Sequence, residues 1–173
     1  MSSNKTKNLT LSAAFLALAL VLPFLTGQLQ QIGNMLLPMH IPVLLCGFFC
    51  GPVYGLAVGF IAPLLRFALF GMPPVIPIGL PMAFELLTYG AIAGILYKKL
   101  PKKPVNVFVA LIVAMLAGRA VWGVARVVLL GLGKAPFGWA AFLAGAFTNA
   151  IPGIIIQLVL IPLLVIRLDK VRG

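Results

Sequence analysis

Long apolar runs, separated by short loops and almost empty of charge, constrain this chain more than any other feature. They occupy residues 9–25, 36–50, 53–70, 78–97, 105–130 and 138–166. Crossing roughly 30 Å of hydrocarbon takes about 20 apolar helical residues. The runs therefore predict an all-α integral membrane protein, a bundle of six transmembrane helices. Residues 1–173 form one membrane domain with no separate soluble unit. Composition agrees: 62% of residues are hydrophobic and 9% charged, where a soluble domain carries about 25% charged residues to wet its surface. The second run is short and holds Pro38 and Pro42, and the sixth is long enough to tilt or kink at Pro152. Gly51-Pro52 and Gly71-Met72-Pro73-Pro74 mark turns. Lys5 and Lys7 ahead of an apolar run containing Ala17-Leu18-Ala19 resemble a secretory signal. The apolar character continues through Leu25 without a polar cleavage region, which predicts a retained first span.

A formal charge of +11 raises the question of nucleic acid. The basic residues sit at the flanks of the runs rather than in a continuous stripe, so no nucleic-acid partner is expected. With six spans, Lys5, Lys7, Lys98, Lys99, Lys102, Lys103, Arg167, Lys170 and Arg172 share one side, against Lys134 alone on the other. Cytoplasmic loops carry the excess of Lys and Arg. The bias predicts an even number of spans with both termini in the cytoplasm, in a multi-pass protein of the bacterial inner-membrane type.

Ionisable groups inside spans are costly and usually face a cavity or a partner. Four occur here, Arg66, Glu85, Arg119 and Arg126, with His40 at the edge of the second run and Asn149 in the sixth. Arg119, Trp122 and Arg126 share one helix face, as do Glu85, Thr88 and Tyr89. Two such faces offer charge, hydrogen bonds and aromatic area, the ingredients of a small-molecule pocket. The candidate substrate-binding set is His40, Arg66, Glu85, Tyr89, Arg119, Trp122, Arg126 and Asn149. The alternative is that Glu85 only neutralises one arginine while Arg66 and Arg126 snorkel to the headgroups. Three arginines against one glutamate leave two positive charges in excess, which favours an anionic ligand such as a carboxylate.

Chemistry beyond binding is not expected. The chain has two acidic residues and one histidine, too few for a metal site or a catalytic constellation. Gly133-Lys134 is followed by Ala135, and residue 128 is Val, so the phosphate-binding loop pattern fails. Cys46 and Cys50 share a helix face as small buried hydrophobes. The expected protein is no enzyme and binds no metal or cofactor of its own; ATP-driven work would fall to partner subunits. Small-xxx-small pairs occur at Ala13/Ala17, Gly55/Gly59, Gly90/Gly94 and Ala110/Ala114. They allow close helix approach, mostly within the subunit.

The stretch Leu37-Pro38-Met39-His40-Ile41-Pro42-Val43-Leu44-Leu45-Cys46-Gly47, followed by Gly51-Pro52-Val53-Tyr54-Gly55 and Gly59, resembles the S components of energy-coupling factor (ECF) vitamin transporters. The resemblance covers essentially the whole chain, and Ala13 and Ala17 resemble the family's small-residue motif for docking the coupling subunit. It implies a binding subunit that takes a vitamin from outside under the outer loops 26–37, 71–77 and 131–137. The subunit then associates with a T component and two ATPases and topples to deliver its cargo. Within the family the sequence is most similar to the group for pantothenate and the cobalamin precursor α-ribazole. The arginine surplus favours the carboxylate of pantothenate; Phe84, Tyr89 and Trp122 would serve the stacking of α-ribazole. A stand-alone proton-coupled transporter of a small organic anion, using Glu85, is the rival reading.

Overall fold

A computed structural model describes residues 2–26, 30–132 and 138–172. Helix is the natural state of such a sequence, because in lipid each backbone N–H and C=O must be satisfied within its own segment. Eight α-helices follow in order: α1 Ser2–Val21, α2 Gln30–Leu36, α3 His40–Cys50, α4 Pro52–Phe70, α5 Leu80–Lys99, α6 Pro104–Leu132, α7 Trp139–Ala146 and α8 Ile151–Arg172. A 3-10 turn at Leu22–Thr26 closes α1, and a π-helical turn at Val75–Gly79 leads into α5. Residues 133–137, most of one predicted outer loop and including Lys134, lie outside the described residues, as do 27–29 of another.

Five segments of the described residues are long and apolar enough to cross a bilayer: Asn4–Leu25, Pro52–Phe70, Val75–Lys99, Pro104–Leu129 and Phe142–Asp169. The predicted span at 36–50 differs. Leu37 adopts a left-handed backbone (φ 51°) and breaks the chain between α2 and α3. The 11 residues of α3 reach only about 16 Å at 1.5 Å per residue. Nine of them are buried, so the apolar run fills the centre of the bundle. Apolarity alone does not distinguish a helix buried in protein from one facing lipid.

The last segment also departs from expectation. Its break falls at Phe147 (φ −127°, ψ −63°) and the 3-10 turn Thr148–Ala150. Pro152 sits in the first turn of α8, where its missing N–H is harmless. Pro63 and Pro162 lie inside helices. Gly71 ends α4 in the left-handed region (φ 71°), its N–H donating to the Phe67 carbonyl; a residue without Cβ takes that conformation at no steric cost.

Packing gives the helices their directions. A methyl group on Gly55 would lie 2.6 Å from the Gly90 carbonyl oxygen, and one on Gly94 2.6 Å from the Pro52 nitrogen. Gly59 meets the Leu86 carbonyl in the same way. The seam runs α4 and α5 antiparallel, backbone against backbone. It places the Gly51-Pro52 turn beside the end of α5 that carries Lys98 and Lys99. At that basic end the Tyr97 hydroxyl donates to Asp169 Oδ2 of α8, and Lys102 Nζ donates to the Tyr97 carbonyl at 2.8 Å. Phe15 of α1 stacks on Phe49 of α3, and Arg66 of α4 donates to the Leu20 carbonyl near the far end of α1. So α1 and α4 run parallel, and the start of α1 lies at the basic end too. The core gathers Val43, Leu44, Leu86, Tyr89, Leu111 and Ile161. Leu25, Val53 and Val105 are exposed on the outside, an apolar perimeter suited to lipid.

Ala110 and Ala114 are fully buried and the four seam glycines lie between helices, whereas Ala13 and Ala17 face outward. Gly90→Ala should lower stability by about 1–3 kcal/mol through overpacking, read as a fall in the thermal midpoint of the detergent-solubilised protein. Gly138→Ala, where a Cβ meets nothing within 4 Å, should leave it unchanged.

Candidate functional site

Near mid-depth three helices bring their polar residues together. His40 opens α3, Glu85 and Tyr89 lie one turn apart on α5, and Arg119 projects from α6. Relative exposures of 1% for His40, 1% for Glu85 and 4% for Arg119 mean that none is solvated as it would be at a surface. A lone buried charge would be prohibitive. Arg119 Nη1 instead lies 2.9 Å from Glu85 Oε1, with His40 Nε2 at 3.5 Å from the same oxygen. The His40 and Tyr89 rings meet edge to face at 5.5 Å. The Tyr89 ring lies directly on Gly118, in space that any Cβ there would fill.

The ion pair leaves polar capacity unused. Arg119 Nε and Nη2 and His40 Nδ1 are buried without a hydrogen bond, while His40 Nε2 and the Tyr89 hydroxyl are turned to the Glu85 carboxylate. Groups of this kind are rare in folded proteins and call for an explanation. A cavity of about 110 Å³ adjoins Arg119, lined by Ile112, Met115, Leu116, Phe147, Ile154 and Leu158. The arrangement is a small apolar concavity that meets the polar cluster at Arg119; at this size it would take one group of a ligand rather than a whole one.

The other sequence candidates lie elsewhere. Arg66 donates to the Leu20 carbonyl and sits 4.9 and 5.3 Å from the Phe24 and Phe70 ring centroids. Its contacts cap the end of α1, whose last carbonyls lack intrahelical donors, and do not bring it to Glu85. Arg126 lies over the Trp122 ring at 5.2 Å, two turns along α6 toward the end opposite the lysines. Trp122 packs on Phe142 and Gly145 of α7. Asn149 is exposed in the 3-10 turn, and the Thr88 hydroxyl bonds to the Phe84 carbonyl at 2.8 Å.

One residue escaped the sequence reading. Gln157 of α8 is fully buried, and neither its Oε1 nor its Nε2 has a hydrogen bond. The signal available is a lone amide in the apolar run 151–166. A second cavity of about 450 Å³ opens on another face of α6, between Gly123, Val127, Val128, Gly138 and Phe142; its lining is apolar.

Spanning helices around a buried, incompletely satisfied polar cluster define a multi-pass membrane protein built to hold a small molecule. The sequence model of one family, described as ECF transporter, substrate-specific component, matches residues 7–165. The chain belongs to that family, whose members are substrate-binding subunits of transporters rather than enzymes. Membership implies a small-molecule substrate and association with ECF T and ATPase components. Searches of curated proteins and of solved structures returned no match.

Removing one member of a buried pair strands the other, at a typical cost of about 3–5 kcal/mol, while an apolar pair of similar volume is often tolerated. Arg119→Met and Glu85→Leu should each lower the denaturation midpoint markedly, and the double variant should lose less than either. Additive losses would show that the two side chains are not coupled.

Proposed function

We propose that this chain captures a water-soluble vitamin or vitamin precursor from outside the cell, pantothenate or α-ribazole, and passes it to a T component and two ATPases for ATP-driven import. The observation that carries the reading is the buried Glu85–Arg119–His40–Tyr89 cluster, in which Arg119 Nε and Nη2 and His40 Nδ1 have no hydrogen bond within the protein. Both termini and the lysine-rich loop then lie in the cytoplasm of a bacterial cell, with α2 and α3 together serving as a broken sixth crossing. The cluster is approached from the opposite, external end, past Arg126 and Trp122.

Docking of the T component falls to α1. Three of the four small-residue pairs are used inside the subunit, and Ala13/Ala17 alone of these pairs faces outward. Close approach of a partner helix needs such an uncovered small-residue surface.

The choice between the two compounds shifts with the geometry. Counting residues leaves two surplus arginines and favours a carboxylate. With Arg119 against Glu85 and Arg66 on the Leu20 carbonyl, that surplus is not gathered at the cluster, and uncharged α-ribazole stands level with pantothenate.

Thermal stabilisation and calorimetry on the purified protein should show nanomolar binding of one of the two without ATP. Proteoliposomes should accumulate it only when the T and ATPase subunits are present. Uptake by the chain alone under a proton gradient would establish the secondary-transporter reading instead. Ala13→Leu with Ala17→Leu should abolish co-purification with the T component and leave the binding constant within about threefold, a change under 1 kcal/mol.

A further inference from the structure

We infer that Gln157 is a ligand-contacting residue, and that the deep end of the pocket, between Gln157 and Arg119, accepts an uncharged group carrying a hydrogen-bond donor and an acceptor, such as an amide, an azole or a hydroxyl, and not a carboxylate. The inference rests on the binding-subunit reading above and specifies the chemistry of its site.

Position comes first. The inward stripe of α8 is Gly153, Gln157, Ile161 and Val165, spaced by four and all buried. Gly153 abuts the last residues of α2; a Cβ there would lie 2.6 Å from the Met35 carbonyl oxygen and 2.8 Å from that of Leu36. From Leu36 the chain turns through Leu37–Met39 and begins α3 at His40, four residues on. Gln157 is four residues on from Gly153 along the same face, about one turn closer to the basic end. Its neighbours Ile154 and Leu158 line the cavity beside Arg119. The amide therefore lies on the buried face of α8, one residue from Leu158 of the cavity wall.

Its chemical state comes second. An amide at 0% exposure with neither oxygen nor nitrogen bonded is destabilising unless something else uses it. A primary amide offers a donor and an acceptor side by side and is best satisfied by a group with the complementary pair.

Charge excludes the carboxylate. The free Nε and Nη2 edge of Arg119 has the shape to grip one. However, Nη1 already lies 2.9 Å from Glu85, and a second carboxylate would put two negative charges on one guanidinium in a buried site. Like charges sharing such a site disfavour ionisation of both. A carbonyl oxygen, ring nitrogen or hydroxyl satisfies the same edge without added charge. An anionic substituent elsewhere on the ligand would sit nearer Arg126, seven residues and so about 10 Å further along α6.

The test uses the full-length protein and Gln157→Leu, with pantothenate, α-ribazole and pantothenol (pantothenate with its carboxylate replaced by a hydroxymethyl group) as probes. Without any probe, Gln157→Leu should keep or raise the thermal midpoint, since it removes an unbonded buried amide. A fall would assign Gln157 to the packing of the fold and overturn the inference. With a probe that wild type binds, Gln157→Leu should weaken affinity at least tenfold; unchanged affinity overturns the inference and leaves the binding-subunit reading standing. Wild type should bind α-ribazole, or bind pantothenol within about tenfold of pantothenate. Loss of more than a hundredfold with pantothenol that persists in Arg126→Gln, with no binding of α-ribazole, would place a carboxylate at Arg119 and overturn the inference. If wild type binds none of the three, the vitamin assignment fails and the inference fails with it.

Discussion

A carboxylate and a guanidinium 2.9 Å apart, both almost fully buried, impose conditions on everything around them. Neither charge could sit there alone, so α5 and α6 must hold Glu85 and Arg119 opposite each other. His40, at 3.5 Å from Glu85, ties the start of α3 to the same point. Buried ion pairs often contribute little net stability, since desolvation opposes their attraction. What this pair does is hold α5 and α6 in one register at the edge of a cavity that Arg119 helps to line.

Holding that register requires a rigid support, which the glycine seam supplies. Gly55, Gly59, Gly90 and Gly94 let α4 and α5 meet at backbone contact. That closeness gains dispersion in a solvent where apolar side chains are no better off in protein than in lipid. Gly118 performs a related service on α6, where the absence of a side chain lets the Tyr89 ring lie against the helix. At the basic end, Tyr97, Asp169 and Lys102 join α5, α8 and the intervening loop. The cluster sits in the half of α5 away from these ties, toward the end where α7 and the 3-10 turn replace continuous helix.

Much of the site was legible because charge in an apolar run stands out. Glu85, Arg119 and His40 stand out as ionisable groups at or within apolar runs, Tyr89 follows from its spacing to Glu85, and the structure gathers the four into one cluster. Arg66 could not be separated from them, because its partner is a backbone carbonyl on a helix 46 residues away, and nothing in the sequence marks a helix end that needs a donor. Gln157 was hidden for a different reason. An uncharged amide in an apolar run is unremarkable until burial shows that water does not reach it and no protein group pairs with it.

Sequence alone determined that the chain is helical and membrane-embedded, since runs of this apolarity have lipid as their only extensive solvent and backbone groups there must be satisfied internally. Gly and Pro in it also marked the turns at Gly51-Pro52 and after Gly71. Tertiary structure decided that residues 40–50 form a short buried helix, that Arg66 bonds to the Leu20 carbonyl of α1, and that Arg119 is already paired with Glu85. Those outcomes depend on which helix faces lie together, and periodicity within one segment carries no information about the face opposite it.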